Sequence, residues 1–133
     1  MSKKSVGIGA EREIIHMFWK EGWAAVRVAG SGSIKYPSPD VLASNNLRKL
    51  AIECKSTRGV RQHFSRREIE ELKQFSRVFG AEAWVAVKFK SGQKGWWFLS
   101  VEDLNETEKG YSVKPSMIST RGMSFEEVLG MLK

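Results

Sequence analysis

Three acidic side chains and one lysine, Glu11, Asp40, Glu53 and Lys55, stand where simple structural needs would not put them. If a hairpin through Ser44–Arg48 turns between Asn46 and Leu47, Asp40 faces Glu53 across two strands. Like charges so placed destabilise the pair unless a cation lies between them. A divalent metal is the simplest such cation, and oxygen ligands of this kind suit Mg²⁺ or Mn²⁺. Side chains alternate along a strand, so Glu53 and Lys55 share one face while Ile52 and Cys54 take the other. An ammonium beside such a site could position or deprotonate an attacking water, or stabilise charge growing on a phosphate. Glu11 falls inside a helical stripe of Ile8, Ile15 and Phe18, where a carboxylate needs a metal, a cation or a set of hydrogen bonds. Its place on the first turn, favoured by the helix dipole, explains it as well. For Asp40 and Glu53 the plain alternative is a solvated sheet edge with the carboxylates splayed, and a slip of one residue removes the pairing. Glu53 with Lys55 alone is an ordinary surface ion pair.

These residues need elements to carry them. A helical pattern runs from about Val6 to Glu21, with Ile8, Ile15, Phe18 and Trp19 on one side. Trp23–Val28 reads as a strand and the Gly-, Ser- and Pro-rich stretch Ala29–Pro39 as a loop. Asp40–Ala43 and Lys49–Lys55 read as a hairpin, followed by a polar, basic connection over Gly59–Phe64. Ser65 and Glu68 have capping-box form and open a helix to Phe79, which Gly80 ends. On it Ile69, Leu72, Ser76 and Phe79 make the core face, with Phe75 adjoining. Ala83–Phe89 and Trp96–Ser100 read as strands, and a second capping box at Ser124 and Glu127 predicts a short helix over Ser124–Lys133. The hairpin's second strand, the next helix and Ala83–Phe89 form a right-handed crossover. The expectation is an α/β chain with a central mixed sheet flanked by helices, one domain over residues 1–133.

Its 133 residues suffice for one ordinary core, and a hydrophobic fraction of 41% is that of a globular protein. The formal charge of +7 suggests a polyanionic partner, nucleic acid before an acidic membrane surface. No apolar run is long enough to span a bilayer, no secretory signal is visible, and one cysteine excludes an internal disulfide, so a cytoplasmic protein is expected. Arg58, Arg61, His63, Arg66 and Arg67 cluster between the Glu-x-Lys strand and the next helix. Phosphate contact or a solvated charge run both account for them. Trp84, Trp96 and Trp97 suit the core or a subunit interface better than base stacking. No Cys/His set has zinc spacing, and no serine has a nucleophile motif.

At this point the sequence resembles the archaeal Holliday-junction resolvase family, Hjc and its relatives, within the PD-(D/E)xK nucleases. The residues that carry the resemblance are Gly9-Ala10-Glu11-Arg12-Glu13, Val26-Arg27-Val28-Ala29-Gly30-Ser31, Pro39-Asp40-Val41, Ile52-Glu53-Cys54-Lys55, Phe75-Ser76-Arg77-Val78-Phe79-Gly80 and Ala86-Val87-Lys88-Phe89. It covers about Val6 to Phe98. The departures are a longer loop before Asp40, through Ile34–Pro37, and a cysteine at position 54 in place of an apolar residue. The resemblance implies a restriction-endonuclease-like fold and a junction-cutting, metal-dependent endonuclease. It implies Mg²⁺, with Mn²⁺ able to substitute, held by Glu11, Asp40, Glu53 and the backbone carbonyl of Cys54, with Lys55 catalytic. It further implies DNA contacts from Arg12, Arg27, Ser31 and Lys88, to which the basic cluster adds Arg58 and Arg61. Phe75 and Phe79 would form a dimer or junction surface. The expected partners are four-way junction DNA and a second copy of the chain, with recombination and replication proteins as further candidates. Two other readings are carried: a restriction or repair nuclease of the same class, and a basic DNA-binding module without catalysis. Cleavage of junctions against linear duplex separates the first, and replacement of Asp40 or Glu53 the second.

Overall fold

The computed structural model describes residues 3–30 and 35–131. In chain order the elements are α1 (Lys3–Lys20), β1 (Ala24–Arg27), β2 (Val41–Ser44), β3 (Lys49–Thr57), β4 (Gln62–Ser65), α2 (Arg66–Phe79), β5 (Glu82–Phe89) and β6 (Gly95–Ser100). A 3₁₀ turn (Val101–Asp103) follows, then β7 (Asn105–Thr107), β8 (Gly110–Val113), α3 (Pro115–Arg121) and α4 (Phe125–Val128). Among these no helix is long and apolar enough to cross a membrane.

The central sheet has the order β1-β2-β3-β5-β6. β1, β2 and β3 form an antiparallel meander, β3 pairs parallel with β5 through the α2 crossover, and β6 returns antiparallel. It is the mixed sheet the pattern predicts. The hairpin turn sets its register. Asn46 takes a left-handed φ of 82°, a conformation Asn tolerates better than most residues. The Asn45 side chain accepts from the backbone N–H groups of Leu47 and Arg48 at 3.0 and 2.8 Å. Val41 then pairs with Ile52, and Ser44 with Lys49.

Each sheet face is covered. Ile14 and Phe18 of α1, with Trp23, Ile52, Cys54, Phe98 and Phe125, fill one side; Ile69 and Leu72 of α2, with Ala51, Phe64, Val85, Val87 and Leu99, fill the other. Fully burying such an aliphatic or aromatic side chain contributes about 1.5–3 kcal/mol. α2 begins with the predicted capping box and ends at Gly80, whose φ is 84°.

Four expectations are corrected. The buried stripe of α1 is Ala10, Ile14 and Phe18, while Trp19 is 57% exposed. Apolar residues spread over more than half the circumference of this helix, so periodicity alone could not choose its inner face; contact with the sheet does. Phe79, read as part of α2's core face, is about half exposed. Gln62–Ser65 is a strand rather than part of a connection, and it opens a second sheet of order β4-β8-β7. Only Phe64 of β4 is buried, so the strand shows little apolar alternation. Residues 101–123, whose pattern predicts no element, hold the 3₁₀ turn, two strands of that sheet and α3. The last helix is shorter than expected, Phe125–Val128, though its capping box is present.

The second sheet depends on one close approach. Gly110 has φ 140°, and a Cβ there would lie 2.5 Å from the Phe64 carbonyl oxygen. Only glycine lets β8 pass so near β4.

Candidate active site

The β2–β3 ladder continues one residue before β2, where the Asp40 N–H donates to the Ile52 carbonyl at 3.0 Å. Pro39 has no N–H to carry it further. Beyond that point the Asp40 side chain takes over: its Oδ2 accepts from the Cys54 N–H at 2.9 Å. Asp40 is thus held from both ends, by its own backbone and by the strand opposite. The pairing of Val41 with Ile52 sets Asp40 across from Glu53, the register read from the hairpin, and the two carboxyl groups share a hydrogen bond.

A shared bond between two carboxyls requires a proton. Burial pushes the Glu53 carboxyl up to about 9, and the charges of Asp40 and Glu68 add to it, against the pull of Lys55. Glu11 rises to about 7, first through burial and then through the charge of Asp40, with Arg27 opposing. Glu11 reaches this place from the flank of the α1 stripe, its Oε1 3.9 Å from Arg27 Nη1 at the end of β1. Burial also lifts the Cys54 thiol well above its usual range, with the charges of Asp40, Glu11 and Glu53 adding to it.

On β3 the expected alternation holds: Ile52 and Cys54 face the α1 side, and Ala51 faces the α2 side. Lys55 shares the α2 side with Glu53, and its Nζ bonds Glu68 Oε2 at 2.7 Å. Burial would lower the Lys55 ammonium, but the Glu68 bond and the charges of Glu68, Glu53 and Asp40 outweigh it and hold the pKa up. The sequence marks Glu68 only as a capping residue. Its contact with Lys55 has no sequence signal, because it depends on how α2 docks against β3.

The structure therefore brings Asp40, Glu53, Lys55 and Cys54 together and sets Glu11 and Arg27 beside Asp40. Among the described residues no three His, Cys, Asp or Glu side chains already converge as a ready coordination sphere. The donors nevertheless fit a hard divalent cation. They are carboxylate oxygens, close together and partly dehydrated, and two have pKa values lifted first by burial and then by the charge of Asp40.

The basic residues take varied places. Arg12 is exposed on α1. Lys88 of β5 donates to Glu13 Oε1 at 2.7 Å, an acceptor it shares with the Trp96 indole. Arg58 and Arg61 are exposed in the loop after β3. Ser31 lies outside the described residues. Arg66 and Arg67, by contrast, are tied to Glu106 and Glu71. Phe75 and Phe79 stack with ring centroids 5.0 Å apart. Trp84 is in the core, and Trp96 and Trp97 are half-buried on edge strand β6.

Comparison with known proteins gives one consistent likeness. A family model for archaeal Holliday junction resolvases (Hjc) matches residues 2–133. A crossover junction endodeoxyribonuclease Hjc from Archaeoglobus fulgidus is 42% identical over 127 residues, 96% of this chain and 91% of the relative. A crossover junction endodeoxyribonuclease Hje from Sulfolobus acidocaldarius is 36% identical over 107 residues, 79% of this chain and 76% of the relative. The solved structure of the A. fulgidus Hjc, described as a Holliday junction resolvase from an archaeal hyperthermophile, superposes with a TM-score of 0.84 at 41% identity. That superposition covers 91% of this chain and 96% of the other. The fold is restriction-endonuclease-like, as the resemblance implied.

Proposed function

The chain belongs to the archaeal Holliday junction resolvase family, and on that premise we propose that it is an endodeoxyribonuclease that resolves four-way DNA junctions by paired, metal-dependent hydrolysis of phosphodiester bonds. The observation that carries the reading is the Asp40–Glu53 pair, two half-buried carboxyls facing each other across β2 and β3, with the Lys55 ammonium on the same face of β3.

Glu11, Asp40, Glu53 and the carbonyl of Cys54 would hold Mg²⁺, with Mn²⁺ able to substitute. When bound, the ion supplies a water of lowered pKa and neutralises charge on the phosphate oxygens. Asp40 is the fixed member of the set, since its backbone N–H and its carboxylate are both bonded into β3. Glu53 would serve as a ligand in its deprotonated form. Lys55, charged and clamped, orients the attacking water and meets the charge developing on the phosphate. Arg27 beside Glu11 holds a phosphate of the substrate, and Arg12, Ser31, Lys88, Arg58 and Arg61 position the DNA backbone. Lys88 must leave Glu13 to do so. The stacked Phe75 and Phe79 form the surface on which a second copy docks, and a two-fold dimer would present two such sites to two strands.

The test is incubation of the purified protein with a synthetic immobile four-way junction and Mg²⁺, with products sized on every strand. Paired nicks near the branch point, absent with Asp40→Asn and with linear duplex, support the reading. A wild-type protein that binds the junction and cuts nothing with Mg²⁺ or Mn²⁺ refutes it, and equal cutting of linear duplex assigns a different nuclease of the same class.

A further inference from the structure

We infer that Glu68 is a positioning residue for the reaction: it clamps Lys55 from the N-terminus of α2 and keeps the ammonium off the Asp40–Glu53 pair. The inference rests on the nuclease reading above for its consequence, but on geometry for the contact. Both oxygens of Glu68 are engaged. Oε1 accepts from the Ser65 N–H at 2.9 Å, and the Glu68 N–H donates to Ser65 Oγ at 3.0 Å, closing the capping box. Oε2 accepts from Lys55 Nζ at 2.7 Å. The carboxylate that grips the lysine is therefore fixed to helix backbone and does not swing with a free side chain.

Lysine is a charged tip on a long stem with much rotamer freedom. Lys55 shares a strand face with Glu53, with Asp40 across the hairpin. Without another anchor, its ammonium would fall toward the acidic pair, satisfy that charge itself and crowd out a cation. Glu68 offers a competing carboxylate from α2. It uses one of the three ammonium donors and leaves the others for the site. Because effective positioning depends on sub-ångström placement, loss of such a clamp is expected to slow the chemical step more than it weakens substrate binding.

The chain contains its own control. Glu127 closes a matching capping box with Ser124, through bonds of 2.7 and 3.1 Å, and among the described residues no ion pair joins it to a cation. Glu68→Gln and Glu127→Gln therefore remove the same charge from the same kind of cap, and only the first disturbs a lysine.

Two measurements test the inference on the full chain. The first needs no metal and no cleavage: the ¹⁵N–¹H signal of the Lys55 ammonium in EDTA. A slowly exchanging signal in the wild type and in Glu127→Gln, lost in Glu68→Gln, supports the clamp. A Lys55 signal as mobile as that of surface lysines overturns it. The second is single-turnover cleavage of the four-way junction at saturating enzyme, with junction affinity measured separately in EDTA. Glu68→Gln should cut about 10- to 100-fold more slowly with unchanged affinity, Glu127→Gln should cut at the wild-type rate, and Glu68→Gln should cost nothing further in a Lys55→Ala background. Full activity in Glu68→Gln, or equal losses in the presence and absence of Lys55, overturns the positioning role. A wild type that shows the clamped signal but cuts no junction overturns the nuclease reading and the role with it, while the contact stands.

Discussion

Replacing Glu53 by Gln should stabilise the metal-free protein at neutral and alkaline pH and leave it unchanged in acid. Burial, with the charges of Asp40 and Glu68, raises the Glu53 carboxyl from 4.5 to about 9. An acid with a raised folded-state pKa keeps its proton where the unfolded chain has lost it. Its favourable contribution is complete below the unfolded value and is lost as pH rises through the folded value, at up to about 1.4 kcal/mol per pH unit. From about pH 5 to about pH 8 the ceiling is therefore roughly 4 kcal/mol, and relaxation of the site brings the expected loss nearer 2 kcal/mol. Gln keeps the shape and can still donate to Asp40, but it carries no titrating charge. Guanidinium unfolding in EDTA, at one fixed protein concentration, should give equal stabilities for the two proteins near pH 5 and a gap that widens steadily toward pH 8. Magnesium should then narrow the gap by stabilising the wild type alone, since a ligand that binds only the folded state adds to its stability. A gap that does not change with pH would refute the reasoning, because it would mean that Glu53 is not held against its charge.

Three further outcomes follow from other contacts. Gly110→Ala should destabilise the fold by about 2–4 kcal/mol in the same unfolding assay, combining a clash at 2.5 Å with the Phe64 carbonyl and a φ of 140°. Arg48 grips Glu82 through two bonds of 2.7 Å, donates to the Val128 carbonyl at 2.6 Å and lies over the Trp23 ring; Arg48→Ala should cost about 1–2 kcal/mol, discounted for an exposed pair, with junction cleavage unchanged at temperatures where the protein stays folded. Arg61→Ala should weaken junction binding in EDTA and lower the slope of log affinity against log salt by about one, measured by gel shift over a salt series; an unchanged slope would remove Arg61 from the phosphate contacts.

How far the sequence determined this protein differs from one element to the next. The hairpin register was legible only as a condition, a turn between Asn46 and Leu47, which the structure meets; strand alternation then places Asp40, Glu53 and Lys55 without further help. α2 was legible at both ends, since a capping box and a terminal glycine are local chemistry. The resemblance in short segments from Gly9 to Phe89 carried the family, which the comparisons bear out.

What only the tertiary structure decided is what depends on docking. Apolar side chains spread over more than half the circumference of α1, so the choice of Ile14 over Trp19 for the core came from the sheet it meets, and that choice sets Glu11 on the flank beside Arg27. The second sheet was illegible because β4, β7 and β8 are three or four residues long, too short for a period to show, and are held by a close approach at Gly110. Glu68 lies 13 residues from Lys55 in the chain, and no local pattern records that the helix cap and the strand lysine would meet. Local geometry is written in neighbouring residues; which faces meet across space is settled by the packing of the whole.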